Sequence, residues 1–324
     1  MTQMVAVDLG GTHARFAIAT LDEGGAPSIE EALTLKTADH ADFLSAWKAY
    51  GAHLGRELPP RAAIAAAGPV FDDEIKLTNN PWTLRPSRIE AACELDQLVV
   101  VNDFEAVGHA IARLPEDAFE HLTGPKRPMA EARSISIVGP GTGLGVAFVM
   151  RLEDGRYHVQ PTEGGHVDFA PRDSFEDRLV QRVRARHLRV SAERVVSGPA
   201  IVDIYETLAV VEGKPVALHD DRAIWTAALE GKDALAVAAM DRFCQSLGSV
   251  AGDMALAQGA DAVVIAGGLG ARIRDHLPKT GFANRFRAKG RFEHMMAGIP
   301  VRLVVADEPG LYGAAAAFAC HASA

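Results

Sequence analysis

The sequence predicts an α/β protein of two duplicated domains, and three observations carry that expectation. Its 324 residues, 48% of them hydrophobic, are enough for two cores rather than one. Two stretches, "MVAVDLGGTHARFAIATL" over residues 4–21 and "SISIVGPGTGLGVAFVM" over residues 134–150, carry strand-like apolar runs on both sides of a glycine turn. Strand and helix signals alternate between and after these hairpins, which is the rhythm of an α/β domain. Two similar hairpins, each placed to open a domain, indicate an internal duplication.

The elements follow in order. After the first hairpin, Phe43, Leu44, Trp47 and Leu54 mark a helix, and "RAAIAAAG" is a strand ending at Gly68-Pro69. The polar loop "LTNNPW" comes next, with Trp82 read as a core aromatic. The strand Leu98-Val99-Val100-Val101 then ends on Asn102 and Asp103, and a helix is expected from about Glu105 to Arg113. "PEDAFEHLTGPKRPMAEA", rich in proline and charge, is the candidate crossing between domains. Past the second hairpin, Ser174 and Asp177 stand at capping-box spacing ahead of Leu179, Val183 and Leu188. Pro199 suits the first position of the next helix. A longer helix runs from about Asp233 to Gln258 and stops at Gly259. The buried strand in "ADAVVIAGGLG" leads into Gly267-Gly268, and a last strand, "VRLVVAD", precedes an Ala-rich helix. The expected division is a small domain over 1–110 with the C-terminal helix 310–324, and a large domain over 111–309.

Composition narrows the function. A net charge of −9 argues against nucleic acid as partner. Arg178, Arg182 and Arg186 at spacing four read as one solvated helix face. Cys93, Cys244 and Cys320 form no CxxC pair and suit a reducing compartment. The N-terminus shows no secretory signal, and the apolar "LYGAAAAFAC" is about half the length of a membrane span. The expectation is a cytoplasmic protein with a small-molecule ligand, no nucleic acid and no membrane.

Glycine turns admit close approach of backbone N–H groups to an anion. Neither hairpin is a Walker A loop, nor the strand-to-helix GxGxxG of dinucleotide folds. Asp8, at the end of the first strand, can hold a hydrated Mg²⁺ against phosphate oxygens; the bland alternative is an Asp supporting its own turn. With a third glycine turn at Gly267-Gly268, phosphate binding becomes the better reading. Asp103 poses a question of its own, because a carboxylate buried at the mouth of an apolar strand is costly unless something pairs with it.

At this point the motifs "VDLGGTHARFAIA", "VNDFEAVGHAI", "GPGTGLGVAFV", "EGGHVDFAP", "SAERVVSGP" and "AGGLG" resemble, in order, those of bacterial glucokinases. The resemblance runs over nearly the whole chain. It implies the two-lobed actin-like ATPase (ribonuclease H-like) fold, with duplicated mixed sheets and an interlobe cleft that closes over the sugar. It implies ATP and Mg²⁺ as cofactors, glucose as the phosphoryl acceptor, and a homodimer. Carried over, Asp8, Leu9, Gly10, Gly11 and Thr12 would face the Mg-nucleotide phosphates, with Asp8 meeting the metal through water. Gly141, Thr142 and Gly143 would do likewise, and Gly267 and Gly268 would lie near the nucleoside. Asn102, Asp103, Glu163, His166 and Glu193 would bind the sugar, with Asp103 as catalytic base. Three acidic groups among the five suit a neutral polyol, because carboxylates accept hydroxyl hydrogen bonds.

One position departs from the pattern: His13 stands where the family usually has Asn, which puts a titratable ring beside the first glycine turn. A zinc reading of Glu163, His166 and His158 is weak, and the cysteine cluster of the ROK family of sugar kinases and repressors is missing. Two other readings stay open: a kinase for another hexose, and a non-catalytic sugar-responsive regulator on the same scaffold. The regulator is the less expected reading, because the first strand begins by Met4, which leaves no room for an N-terminal DNA-binding helix-turn-helix, and because Asp103 is present.

Overall fold

The structure, a computed structural model, describes residues 1–68, 70, 73–78 and 80–321. Pro69 and Asn79, and the part of the expected last helix beyond residue 321, lie outside the described residues. The chain divides into two compact units. The first is Met1–Pro115, Val159–Pro161 and the chain from Ala306 on, and the second is Glu116–His158 and Thr162–Val305.

In the first unit, strands β1 (Thr2–Leu9), β2 (His13–Leu21), β3 (Pro27–Ile29) and β4 (Leu33–Lys36) precede helix α1 (Phe43–Leu54) and strand β5 (Arg61–Ala66). The short strands β6 (Ile75–Lys76) and β7 (Thr83–Leu84) pair with each other, followed by α2 (Pro86–Cys93), β8 (Gln97–Asn102) and α3 (Asp103–Arg113). The main sheet has the order β3-β2-β1-β5-β8, with β4 also on β2. Alternation along β1 serves two cores at once, because successive side chains point to opposite faces. Val5, Val7 and Leu9 pack with Phe16, Ile64 and the Phe43, Trp47 and Tyr50 of α1. Met4 and Ala6 pack on the other face with Ala106 of α3 and Leu311, Ala314 and Phe318 of the C-terminal helix Pro309–His321. Trp82 joins the α1-side core, and its Nε1 donates to His40 O at 3.3 Å.

The remaining elements are β9 (Phe119–Thr123), β10 (Ser134–Pro140), β11 (Leu144–Arg151), β12 (Tyr157–Thr162, whose Val159–Pro161 group with the first unit), α4 (Ser174–His187), α5 (Ile201–Glu212), α6 (Asp221–Leu229) and α7 (Ala234–Gln258). The chain continues through β13 (Ala262–Ile265), α8 (Gly267–Arg272), α9 (Phe282–Arg287), α10 (Glu293–Ala297) and β14 (Val301–Val304). The sheet order is β12-β11-β10-β13-β14-β9. The duplication is visible in strand sense. The series β2-β1-β5-β8 runs antiparallel, parallel, parallel, and β11-β10-β13-β14 repeats it. Among the described residues no helix is long and apolar enough to cross a membrane.

Several local expectations need correction. The proline-rich 115–132 stretch is not only a connection, because β9 lies within it and pairs antiparallel with β14. Asp173, not Ser174, caps α4, accepting from Phe175 N and Glu176 N, since the residue with extended φ/ψ is the one ahead of the serine. Helix α5 starts at Ile201, two residues past Pro199, because Ser197 to Ala200 form a tighter turn first. The arginine face of α4 is not simply solvated: Arg182 and Arg186 bridge to Asp203 of α5, and Arg182 also reaches Glu206. The glycine turn expected after the buried strand leads straight into helix α8, Gly267 being its first residue, with φ of +80° and its backbone against Pro140 O.

Candidate active site

The first glycine turn is tied down on several sides. Gly10 N donates to His13 O at 3.0 Å, closing the hairpin. Thr37 Oγ1 donates to Gly11 O and Asn80 Nδ2 to Gly10 O, each at 3.3 Å. Leu9 is fully buried, so its side chain belongs to the core beneath the turn. The Oγ1 of Thr12 lies 2.9 Å from His13 Nδ1, so the ring that departs from the family pattern bonds the neighbouring hydroxyl.

Asp8 sits opposite Arg15 in the β1–β2 register, and Arg15 Nη1 reaches its Oδ2 at 3.2 Å. Arg15 Nε also contacts Glu308 Oε2 at 3.2 Å, from a residue held at φ of +47° just before the C-terminal helix. Gly310 closes over the carboxylate: a Cβ there would come within 2.7 Å of Asp8 Cγ. Burial pushes the Asp8 carboxyl above the usual aspartate range; Arg15 opposes the rise and Glu308 adds to it. The folded chain therefore keeps a proton on Asp8 at pH values where the unfolded chain has lost it. Asp8 withdraws stability as pH climbs from the unfolded value through the folded one. Asp8→Asn removes this ionisation. Its thermal midpoint at pH 7 is expected to be no lower than that of the parent, while a ligand positioned by this carboxylate would be misplaced and turnover is expected to fall roughly 10²-fold. Melting curves beside steady-state rates check both halves.

At the other end of the same edge, Asn102 and Asp103 turn a strand into a helix. The register aligns Leu9 with Ala66 and Ala66 with Asn102, so the first glycine turn and Asn102 end strands two apart, roughly 10 Å across the sheet. This is the carboxyl edge of parallel strands, where α/β sheets bind ligands. Asn102 is the N-cap of α3: its Oδ1 accepts from Phe104 N at 2.9 Å and Glu105 N at 3.3 Å, and its Nδ2 donates to Gly68 O at 3.0 Å. Asp103 is the first helical residue, two positions earlier than the expected start, and its Oδ1 accepts from Phe104 N at 2.9 Å. A half-buried acid in the first turn of a helix lies on the favourable end of the dipole, which answers the cost that the sequence raised.

In the second unit the predicted phosphate and sugar residues meet. Gly141 N donates to Gly143 O at 2.8 Å to form the β10–β11 turn, and Gly198 N donates to Gly141 O at 2.7 Å from behind. Glu193 Oε2 accepts from Leu144 N at 3.0 Å, immediately after that turn. Glycine at 143 leaves room for this carboxylate, since a Cβ there would stand 2.5 Å from the same oxygen and oblige the Glu193 side chain to shift. Glu193 N in turn donates to Gly165 O at 2.9 Å, and Ala192 N to Val167 O at 2.8 Å. This joins Glu193 to the tight turn Gly164–His166. Glu163 and His166 are largely exposed, 3.7 Å apart between Oε2 and Nε2. Gly267 adjoins Pro140 O at the foot of the β10–β11 turn, and Gly268 has open space beyond its Cα.

Among the described residues no group of three or more His, Cys, Asp or Glu is arranged to hold a metal. The single carboxylate of Asp8, about one-fifth exposed beside a glycine turn, fits a Mg²⁺ that keeps its waters and is bound chiefly by substrate phosphates. Sequence reasoning missed Arg15, Glu308, Gly310 and Asn80. Arg15 carried a signal, because pairing across a four-residue turn sets it opposite Asp8. Glu308 and Gly310 carried none, being some 300 residues away in the chain.

A family model described as Glucokinase matches residues 5–321. The glucokinase of Zymomonas mobilis is 54% identical over 317 residues, 98% of each chain. That of Nitrobacter hamburgensis is 38% identical over 310 residues, 95% of this chain and 94% of its own. The crystal structure of a glucokinase from an Antarctic psychrotroph superposes with a TM-score of 0.85 at 34% identity, covering 98% of both chains. With ordered motifs, duplicated sheets and near-complete alignment in agreement, the chain belongs to the glucokinase family.

Proposed function

We propose that the chain transfers the γ-phosphoryl group of ATP to the 6-hydroxyl of glucose, giving glucose 6-phosphate. The observation that carries this reading is the hydrogen bond from Leu144 N to Glu193 Oε2, which joins a polyol-accepting carboxylate to a glycine turn of the anion-binding type. Family membership supports the choice of glucose and ATP.

Phosphoryl transfer passes through a loose transition state, so the chain's task is alignment and charge placement. Asp103 accepts the proton of the attacking hydroxyl as the bond to phosphorus forms and the bond to ADP breaks. Asn102, Glu163, His166 and Glu193 hold the remaining hydroxyls and orient the sugar for in-line attack. The backbone of Leu9 to Thr12 and the turn Gly141-Thr142-Gly143 receive the phosphates, with Gly267 and Gly268 near the nucleoside. Bound Mg²⁺ would neutralise charge on the phosphate oxygens, held by Asp8 through water. The family resemblance supports a homodimer, the three cysteines without a CxxC pair support a reducing, cytoplasmic setting, and the sequence reading divides the chain into a small domain over 1–110 plus the last helix and a large one over 111–309.

The test is a matrix of phosphoryl donors against sugars on the purified protein. ADP release is expected only when sugar is present, with glucose giving the highest kcat/KM among glucose, mannose, fructose and amino sugars. A clear preference for another hexose would overturn the glucose assignment. Sugar-independent ATP hydrolysis would point instead to an ATPase of the actin or chaperone type. Sugar binding without turnover would leave a regulator.

A further inference from the structure

Helix α4 ends in an unusual way. Leu188 follows it at φ of +59° and ψ of −51°, with 90% of its surface exposed. A bulky side chain at positive φ is strained, and one so exposed recovers nothing by burial. The turn brings the chain off the helix so that the next side chain, Arg189, faces the segment after the Gly164–His166 turn. Arg189 Nη2 donates to His166 O at 2.8 Å, and Arg189 Nε donates to Asp168 Oδ1 at 2.6 Å.

These two bonds close one end of a short ladder. Phe169 N donates to Val190 O at 3.0 Å, Asp168 and Ser191 form an isolated antiparallel bridge, Ala192 N reaches Val167 O, and Glu193 N reaches Gly165 O. The ladder lashes the segment carrying His166 to the segment carrying Glu193. Its backbone rungs grip Gly165, Val167 and Phe169, whereas the carbonyl of His166 itself is gripped by the Arg189 guanidinium. The side chains of Arg189 and Asp168 are both mostly exposed, at 62% and 74%. Exposed ion pairs add little to stability, so this one is poorly placed to serve the fold.

From this geometry we infer that Arg189 is a positioning residue for sugar binding: its forked guanidinium fixes the His166 backbone, and through it the His166 ring, relative to Glu193. The inference rests on the proposed assignment of His166 and Glu193 to the sugar. A planar fork matters because one group must satisfy a carbonyl and a carboxylate at once, which a lysine ammonium does with less directional control.

The experiment compares the parent enzyme with Arg189→Ala, Arg189→Lys, His166→Ala and the Arg189→Ala/His166→Ala double variant. Each is measured for glucose KM, ATP KM, kcat and thermal midpoint. Arg189→Ala is expected to raise glucose KM about tenfold, in keeping with the cost of a misplaced binding group, while ATP KM and the midpoint stay near the parent's. Arg189→Lys should recover part of that loss. In the His166→Ala background, removing Arg189 should change glucose KM little further, because residues acting through one another are not additive. An unchanged glucose KM in Arg189→Ala beside a raised one in His166→Ala would overturn the role of Arg189 and leave the sugar assignment standing. Additive effects, or a lowered midpoint with both KM values raised, would also overturn it. An unchanged glucose KM in His166→Ala would sink the sugar assignment itself.

Discussion

Asp103→Asn is expected to lower kcat for glucose phosphorylation by roughly 10²- to 10⁴-fold, the range a positioned general base contributes, with glucose KM changed only a few-fold. The substitution is chosen because it keeps the hydrogen bond that Asp103 accepts at the helix start. Asn keeps an oxygen that can accept from Phe104 N, keeps the first position of α3, and leaves the Asn102 cap and its bond to Gly68 O untouched. What it removes is the capacity to take a proton. A structural role would show as a lowered thermal midpoint with kcat largely intact, whereas the base role shows as a collapse of kcat at an unchanged midpoint. Asp103→Ala should match the loss in rate and also weaken the helix start, so the pair separates chemistry from capping. A turnover within a few-fold of the parent in the Asn variant would remove Asp103 from the mechanism.

Much of the local architecture around the candidate site was legible in the sequence, and the reasons are local. The two hairpins could be read because apolar alternation around glycine is a short-range pattern, and β1–β2 and β10–β11 pair as that pattern requires. Motif order then supplied the chemistry, since six stretches in sequence constrain a family far more tightly than any single glycine turn. Helix starts were less legible, as Asp173 and Asp103 show. A cap is decided by which residue keeps extended backbone, and Ser174 offered the same side-chain chemistry one position later. Tertiary partners were illegible for a different reason. Glu308 reaches Arg15 and Gly310 covers Asp8 only because the last helix packs on the first sheet, a contact that no local pattern announces. The meeting of Glu193 with the Gly141–Gly143 turn is of the same kind, because some fifty residues of chain separate them.

Gly165→Ala is the second substitution with a large expected effect, and it acts through a single methyl group. Gly165 is buried, and a Cβ placed on it would stand 2.1 Å from Leu144 O and 3.1 Å from Leu144 C. The obstruction is backbone, at the first residue of β11, so no side-chain rotation relieves it. The turn Gly164–His166 has to lift away from the strand. Gly165 O accepts from Glu193 N, and Glu193 Oε2 accepts from Leu144 N, so the same displacement pulls on both bonds that hold Glu193. Overpacking of this kind costs about 1–3 kcal/mol of stability. The larger effect falls on function, because Glu193 and His166 move together. On the order of a 10²-fold loss in kcat/KM for glucose is expected, mostly as a raised KM. Gly141→Ala is the control: nothing lies within 4 Å of a Cβ there, so its stability should hold while ATP KM rises if phosphate approaches that backbone. Equal losses toward ATP and glucose in both variants would mean that the two glycines serve the β10–β11 turn alone, and the division between sugar and phosphate residues in the second unit would have to be redrawn.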